Sequence, residues 1–276
     1  MCRVLRISRS GYYGWRDRPE SSRASANREL LEKIKTAHKD SRETYGVDRI
    51  LGQLKSDGET CGRNRVARLM KDSNIRSKRR KKYKATTDSK HNHPVAENLL
   101  DRDFTVERPD QVWVSDITYI PTEEGWLYLA AVKDLFQKKI VGWSMGERIT
   151  KELAIGALEM AINRRRPESG LIHHSDRGSQ YASGDYQQKL SDYGMQCSMS
   201  KKGEPWDNAP MESFFGTLKT ELVHHRKYQS RAEAKAEIFE YIEVFYNRKR
   251  LQSGLGMKSP EAYEAAYYAQ AVQTAA

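Results

Sequence analysis

The sequence predicts an α/β fold, a mixed sheet covered by helices, preceded by a small all-α domain. Three observations predict it: an uneven split of charge, a switch from helical to strand-like apolar spacing near Val112, and three carboxylates in separate settings beyond that switch. The chain has 276 residues and a formal net charge of +11. Residues 1–108 hold 27 Lys and Arg against 15 Asp and Glu, whereas residues 109–276 hold 21 against 22. Lysine and arginine release counterions from phosphates, so a basic module joined to a nearly neutral body suits a nucleic-acid grip attached to a catalytic part. The length allows each part its own core.

Residues 4–16 mix Leu5, Ile7, Tyr12, Tyr13 and Trp15 with Ser and Gly, which predicts a short helix, a turn and another short helix. Leu30, Leu31, Ile34 and Ala37 give one apolar face over Arg28–Lys39, and Val47, Ile50, Leu51 and Leu54 give a second helix ended by Asp57-Gly58. A third runs from Arg63 to Asp72, with Val66, Leu69 and Met70 inward and Arg63, Arg65 and Arg68 on the other face. Three short helices with arginines on the last match a helix-turn-helix unit, whose recognition helix enters the major groove. Residues 1–75 are therefore expected to be a helical DNA-binding region. The run from Arg76 to Lys84 has seven basic residues of nine and no apolar face. It predicts a basic linker over residues 76–108, with Lys78, Arg79, Arg80, Lys81 and Lys82 on phosphate backbone.

Val112–Ile120, Trp126–Asp134 and Lys139–Met145 read as consecutive antiparallel strands separated by polar turns. A helix over Lys151–Arg165 buries Leu153, Ala154, Ala157, Leu158, Ala161 and Ile162; Leu171–His174 is a strand, Asp185–Tyr193 a helix and Met195–Ser198 a strand. The order βββαβαβα is that of an RNase H-like domain. In it Asp116 lies on the first strand, Asp176 just past the fourth and Glu212 at the start of the helix after the fifth. Ligand sites in α/β folds gather where strand ends converge. Hard cations such as Mg²⁺ are held by one or two carboxylates together with water and substrate phosphate, so three acids can serve two ions. Cys2, Cys61 and Cys197 are too scattered for a zinc site or a disulfide framework. The pairs His91/His93, His173/His174 and His224/His225 lack partner cysteines and read as surface or phosphate-facing residues. Trp113 and Trp206 read as core aromatics, and Asn208 as a residue that caps or orients the helix presenting Glu212. No apolar stretch reaches the roughly 20 residues of a membrane span, so a cytoplasmic protein without a membrane partner is expected.

Three motifs sharpen this: Trp113-Val114-Ser115-Asp116-Ile117-Thr118-Tyr119-Ile120, His174-Ser175-Asp176-Arg177-Gly178-Ser179-Gln180-Tyr181, and Trp206-Asp207-Asn208-Ala209-Pro210-Met211-Glu212-Ser213-Phe214-Phe215. With Tyr246–Leu251, Ser259-Pro260-Glu261 and the N-terminal Tyr45-Gly46-Val47, the chain resembles DDE transposases of the insertion-sequence-three family, relatives of retroviral integrases. The resemblance implies an integrase catalytic core with a C-terminal helix over residues 109–270, in which Asp116, Asp176 and Glu212 are catalytic and bind metal. It places Lys219 at the family's basic position seven residues beyond the glutamate. Two helical turns put it on nearly the same face, within reach of a phosphate. The family usually has a histidine where this chain has Gln252.

The implied activity is DNA 3′-end cleavage followed by strand transfer, with two Mg²⁺ ions, replaceable by Mn²⁺, as cofactors. The implied partners are element ends and target DNA, held by at least a dimer, with the product of an upstream reading frame as a further partner; nucleoid DNA in a bacterial cytoplasm is the expected location. A structure-selective nuclease that never joins strands, and a DNA-binding repressor derived from a transposase, are the alternatives, since one fold hosts several activities.

Overall fold

The computed structural model describes residue 4 and residues 7–78, 96–201 and 204–275. Arg79, Arg80, Lys81 and Lys82, as well as His91 and His93, lie outside the described residues. Two compact units are present, residues 1–77 and residues 78–276.

The first unit is helical. Among the described residues its start is one continuous helix, α1 (Arg9–Arg16), where a helix, a turn and a second helix are expected over residues 4–16. Ser8 sets where α1 begins, because its Oγ accepts the Gly11 N–H at 2.9 Å and satisfies one of the orphan donors of the first turn. Helix α2 (Ser22–Asp40) begins six residues ahead of its first expected position for the same reason, Ser21 Oγ accepting from Ala24 N. Leu30, Ile34 and Ala37 of α2 pack with Ile50 and Leu54 of α3 (Val47–Ser56) and Val66, Leu69 and Met70 of α4 (Arg63–Asp72). Gly58 follows α3 at φ +85°, a left-handed conformation that stops the helix and that glycine adopts without a Cβ penalty.

The second unit is built on a five-stranded sheet in the order β3-β2-β1-β4-β5. Strands β1 (Val112–Thr122), β2 (Gly125–Asp134) and β3 (Ile140–Gly146) form an antiparallel meander, while β4 (Ile172–Ser175) and β5 (Gln196–Met199) continue it in parallel from β1. Side chains alternate across a strand, so Trp113 and Ile117 of β1 face one side. There α5 (Lys151–Arg165) and α6 (Gly184–Asp192) close a core with Leu153, Leu158, Tyr181, Tyr186 and Leu190. Helix α5 lies so close to β3 that a Cβ on Gly142 would stand 2.1 Å from the Ala157 carbonyl oxygen. The small residues Ala157 and Ala161 on the contact face permit that approach.

The opposite face receives α7 (Ala209–Glu221), whose Met211, Phe214 and Leu218 are buried. Beyond it come α8 (Arg231–Glu240), a π-helical turn (Tyr241–Tyr246) and α9 (Pro260–Ala275). Arg250 is buried beside the end of α7 and binds Glu221 in a two-pronged pair, Nε to Oε2 at 2.8 Å and Nη2 to Oε1 at 2.7 Å. Tyr241 donates its hydroxyl to the same carboxylate at 2.7 Å. Upstream of β1, residues 97–103 lie against β5 and the turn ahead of α7: Met199 N donates to Glu97 O, Leu99 N to Ser198 Oγ, and Leu100 is buried. Among the described residues no helix is long and apolar enough to cross a membrane.

Candidate active site

Strand register brings the first two acids together. Val114 pairs with His174 at the end of the parallel β1–β4 ladder, and Asp116 on β1 and Asp176 just past β4 each lie two residues beyond that pair. Adjacent strands are about 5 Å apart. Asp116 Oδ1 accepts the Ile117 N–H at 2.7 Å, and Asp176 Oδ1 accepts the Gly178 N–H at 2.8 Å. A Cβ on Gly178 would stand 2.9 Å from that same Asp176 oxygen, so a larger residue there would force the carboxylate to shift.

Glu212 enters on the exposed side of the first turn of α7. Two contacts fix that turn against the sheet. Asn208 Nδ2 donates to the Ser115 carbonyl oxygen at 3.0 Å, and buried Lys133 of β2 donates to the Pro210 carbonyl oxygen at 2.9 Å. Asn208 stands at the N-cap but makes no capping bond; its amide is used to tie the helix to the residue before Asp116. Pro210 lacks an N–H, so the first turn has one fewer donor to satisfy.

Electrostatics mark the three acids as neighbours. The Asp116 carboxyl is pushed well above the usual range, first by burial, then by the charge of Asp176 and, more weakly, of Glu212, while the Ile117 N–H and Lys219 pull it down. Lys219 is itself buried, with its ammonium 4.5 Å over the Tyr119 ring; burial lowers its pKa and Asp116 raises it. Tyr181 is buried, and its hydroxyl has no hydrogen-bond partner among the described residues. Burial, then Tyr186, then Asp116 and Asp176 push that phenol up, which sets it beside the acids. Among the described residues no three or more His, Cys, Asp and Glu side chains form a ready-made metal cage. The donor set nevertheless fits Mg²⁺: it is all carboxylate oxygen, crowded by like charge, and each such ion needs only one or two protein carboxylates.

The histidine pair of β4 departs from its expected surface role. His173 and His174 are fully buried, and burial lowers their pKa values to about 3 and about 4, so both are neutral. His173 Nε2 lies 2.8 Å from Ser115 Oγ and 3.1 Å from the Tyr186 hydroxyl, and His174 bridges Ser198 and Ser200. They are internal ties between β1, β4 and β5. Trp113 is buried as expected, but Trp206 is 67% exposed on the 3-10 turn Pro205–Asn208. Polar neighbours take the interior there: buried Asp207 accepts from Arg102 Nε at 2.8 Å, Asn98 Nδ2 at 3.0 Å and Lys201 N at 2.8 Å.

In the helical unit the three arginines of α4 differ. Arg68 is exposed, Arg63 is exposed but paired with Asp48 at 2.7 Å, and Arg65 is half-buried with Nε on Asn27 Oδ1 of α2 at 2.8 Å. Lys78, in the other unit, is half-buried.

Two segments of the chain, residues 106–205 and 212–267, match the family described as integrase core domain, and residues 25–83 match an HTH-like domain. The chain is 42% identical over 266 residues, 96% of its length, to the transposase InsF of insertion sequence IS3A from Escherichia coli (strain K12), of which 92% is covered. It belongs to the IS3 family of transposases. A further relative of this transposase is an uncharacterized 31 kDa protein of insertion element IS600 from Shigella sonnei, 51% identical over 97% of this chain and 98% of that one. Among solved structures it overlaps the HTLV-2 integrase catalytic core domain in complex with magnesium at a TM-score of 0.43 and 18% identity, over 55% of this chain and 95% of that one. By its family matches and its own architecture, the IS3-family transposase has a helical, HTH-like N-terminal region and a mixed-sheet integrase core. At its Gln252 the backbone forms a short bridge to Lys258, and the side-chain Nε2 is buried with no hydrogen-bond partner among the described residues.

Proposed function

We propose that this transposase cuts DNA at the 3′ ends of its element and joins them to a target, with Asp116, Asp176 and Glu212 as the metal-holding acids. The observation that carries this reading is that Asp116 on β1 and Asp176 just past β4 each lie two residues beyond the Val114–His174 pair of the parallel ladder, with the Glu212 helix tied by Asn208 to the residue before Asp116. Two Mg²⁺ ions bound there would supply Lewis-acid stabilisation of charge building on phosphate oxygens.

The chain's own residues do the positioning. Asp116 and Asp176 are each held by a backbone N–H, which fixes one carboxylate oxygen and leaves the other for the metal. Lys219, already within the field of Asp116, meets a non-bridging phosphate oxygen from the same helix that presents Glu212. In the first step water adds to phosphorus and the P–O3′ bond breaks, leaving the 3′-hydroxyl with its proton. In the second that hydroxyl oxygen forms a bond to a target phosphorus, a target P–O3′ bond breaks, the proton passes to the departing 3′ oxygen, and no protein atom joins the DNA. Residues 1–75 grip the element end, with Arg63, Arg65 and Arg68 on α4; Lys78, Arg79, Arg80, Lys81 and Lys82 follow phosphate toward the core over residues 76–108, and residues 109–270 act. Holding two ends requires at least a dimer on DNA.

The deciding experiment incubates the full chain with terminal-repeat DNA and supercoiled target in Mg²⁺, with and without the upstream-frame product. Joined products are expected. Cleavage without joining would make it a structure-selective nuclease, and sequence-specific binding with no Mg²⁺-dependent cleavage would make it a repressor.

A further inference from the structure

Trp206 is two-thirds exposed, although a tryptophan ordinarily contributes more to a fold when covered. The backbone that displays it is fixed on three sides. The next residue, Asp207, is 1% exposed and bound by Arg102, Asn98 and the Lys201 N–H; Asn208 bonds to β1, and the Pro210 carbonyl bonds to Lys133 of β2. Burying a carboxylate is costly unless it is fully paired, so the fold spends three hydrogen bonds to keep this turn in place with the indole outward. Six residues later the same rigid run delivers Glu212.

We propose that Trp206 is a stacking platform for an unpaired nucleobase at the DNA end held in the active site. The proposal rests on the reading of the chain as a strand-transfer enzyme and names one recognition element of that same site. An indole face accepts any base, because every base has a π-face. Trp206 therefore selects the state of the end, a base free of its partner, and not its sequence. A platform serves this purpose only if it does not fold away when empty, which is what the Asp207 anchor provides.

The test measures binding without divalent metal, so no chemistry occurs. Two duplexes of arbitrary sequence are compared, one with an unpaired 3′-terminal adenine and one with an abasic nucleotide in its place. Wild type is expected to bind the adenine end about 10- to 100-fold more tightly than the abasic end. Trp206→Ala should lose that preference while binding the abasic end as wild type does, and Trp206→Phe should restore most of it. Equal weakening on both ends, or an unchanged preference in Trp206→Ala, would overturn the proposal. So would a drop in oligomeric state of Trp206→Ala by light scattering, which would make the indole a contact between copies. Failure of wild type to join strands in Mg²⁺ would instead remove the functional reading, and that outcome is read in a separate assay.

Discussion

Asp116→Asn is expected to lower 3′-end cleavage and strand transfer by at least about 10³-fold, equivalent to about 4 kcal/mol of transition-state stabilisation, while DNA binding persists. The substitution keeps shape and removes charge. The amide oxygen of the new side chain can still accept the Ile117 N–H that Asp116 accepts at 2.7 Å, so the strand is undisturbed. What disappears is the carboxylate that burial, Asp176 and Glu212 all oppose. A group whose charged form is disfavoured in the fold is retained because something other than stability requires it. Without divalent metal, the Asp116→Asn variant should therefore melt at the wild-type temperature or above it. Asp176→Asn keeps its acceptor for Gly178 in the same way, and Glu212→Gln is on an exposed surface, so both should be equally inactive and equally folded. Normal strand transfer by any of the three variants would sink the assignment; cleavage assays beside thermal melts and a gel-shift titration separate catalytic loss from unfolding.

Arg250→Met should be the most destabilising single change away from the acids, by about 3–5 kcal/mol. Arg250 and Glu221 are 4% and 7% exposed by side chain, and their two-pronged contact is the counter-charge for a carboxylate at the end of α7. Removing the cation takes both charge-assisted bonds away from a buried carboxylate that also accepts the Tyr241 hydroxyl. Adding Glu221→Gln to the variant should restore about 1–2 kcal/mol, since burying a neutral amide costs far less than burying an unpaired carboxylate. Denaturant melts of the wild type and both variants check this, and a double variant no more stable than the single would show that the carboxylate is not the source of the loss.

Much of the architecture is legible in the sequence because it follows from periodicity and local chemistry. The bounds of α4 and α5 agree with the pattern of Val66, Leu69 and Met70 and of Leu153, Ala157 and Ile162, and the strands agree within a few residues. Asp116, Asp176 and Glu212 are readable as strand, strand end and helix start, since those are statements about neighbours in sequence. What escapes a reading of the sequence depends on distant partners. His173-His174 reads as polar, yet serines and a tyrosine from β1, β5 and α6 let both rings be buried. Trp206 reads as core, yet Asp207 takes the inside place because Asn98 and Arg102, about a hundred residues earlier, satisfy it. The tie of Arg65 to Asn27 of another helix is likewise absent from any local pattern. The buried Arg250–Glu221 pair has no local signature at all.

The contacts of Asp207 also decide where this chain can be cut. The integrase-core match begins at residue 106, and a recombinant fragment made to that boundary would contain all three acids. It would lack Asn98 and Arg102, leaving the buried Asp207 carboxylate, among the described residues, with the Lys201 N–H. The damage would fall on the turn that precedes Glu212, not on the sheet. A fragment beginning at residue 96 is expected to behave as an intact catalytic domain, and one beginning at residue 106 to fold around its strands while holding its third acid loosely.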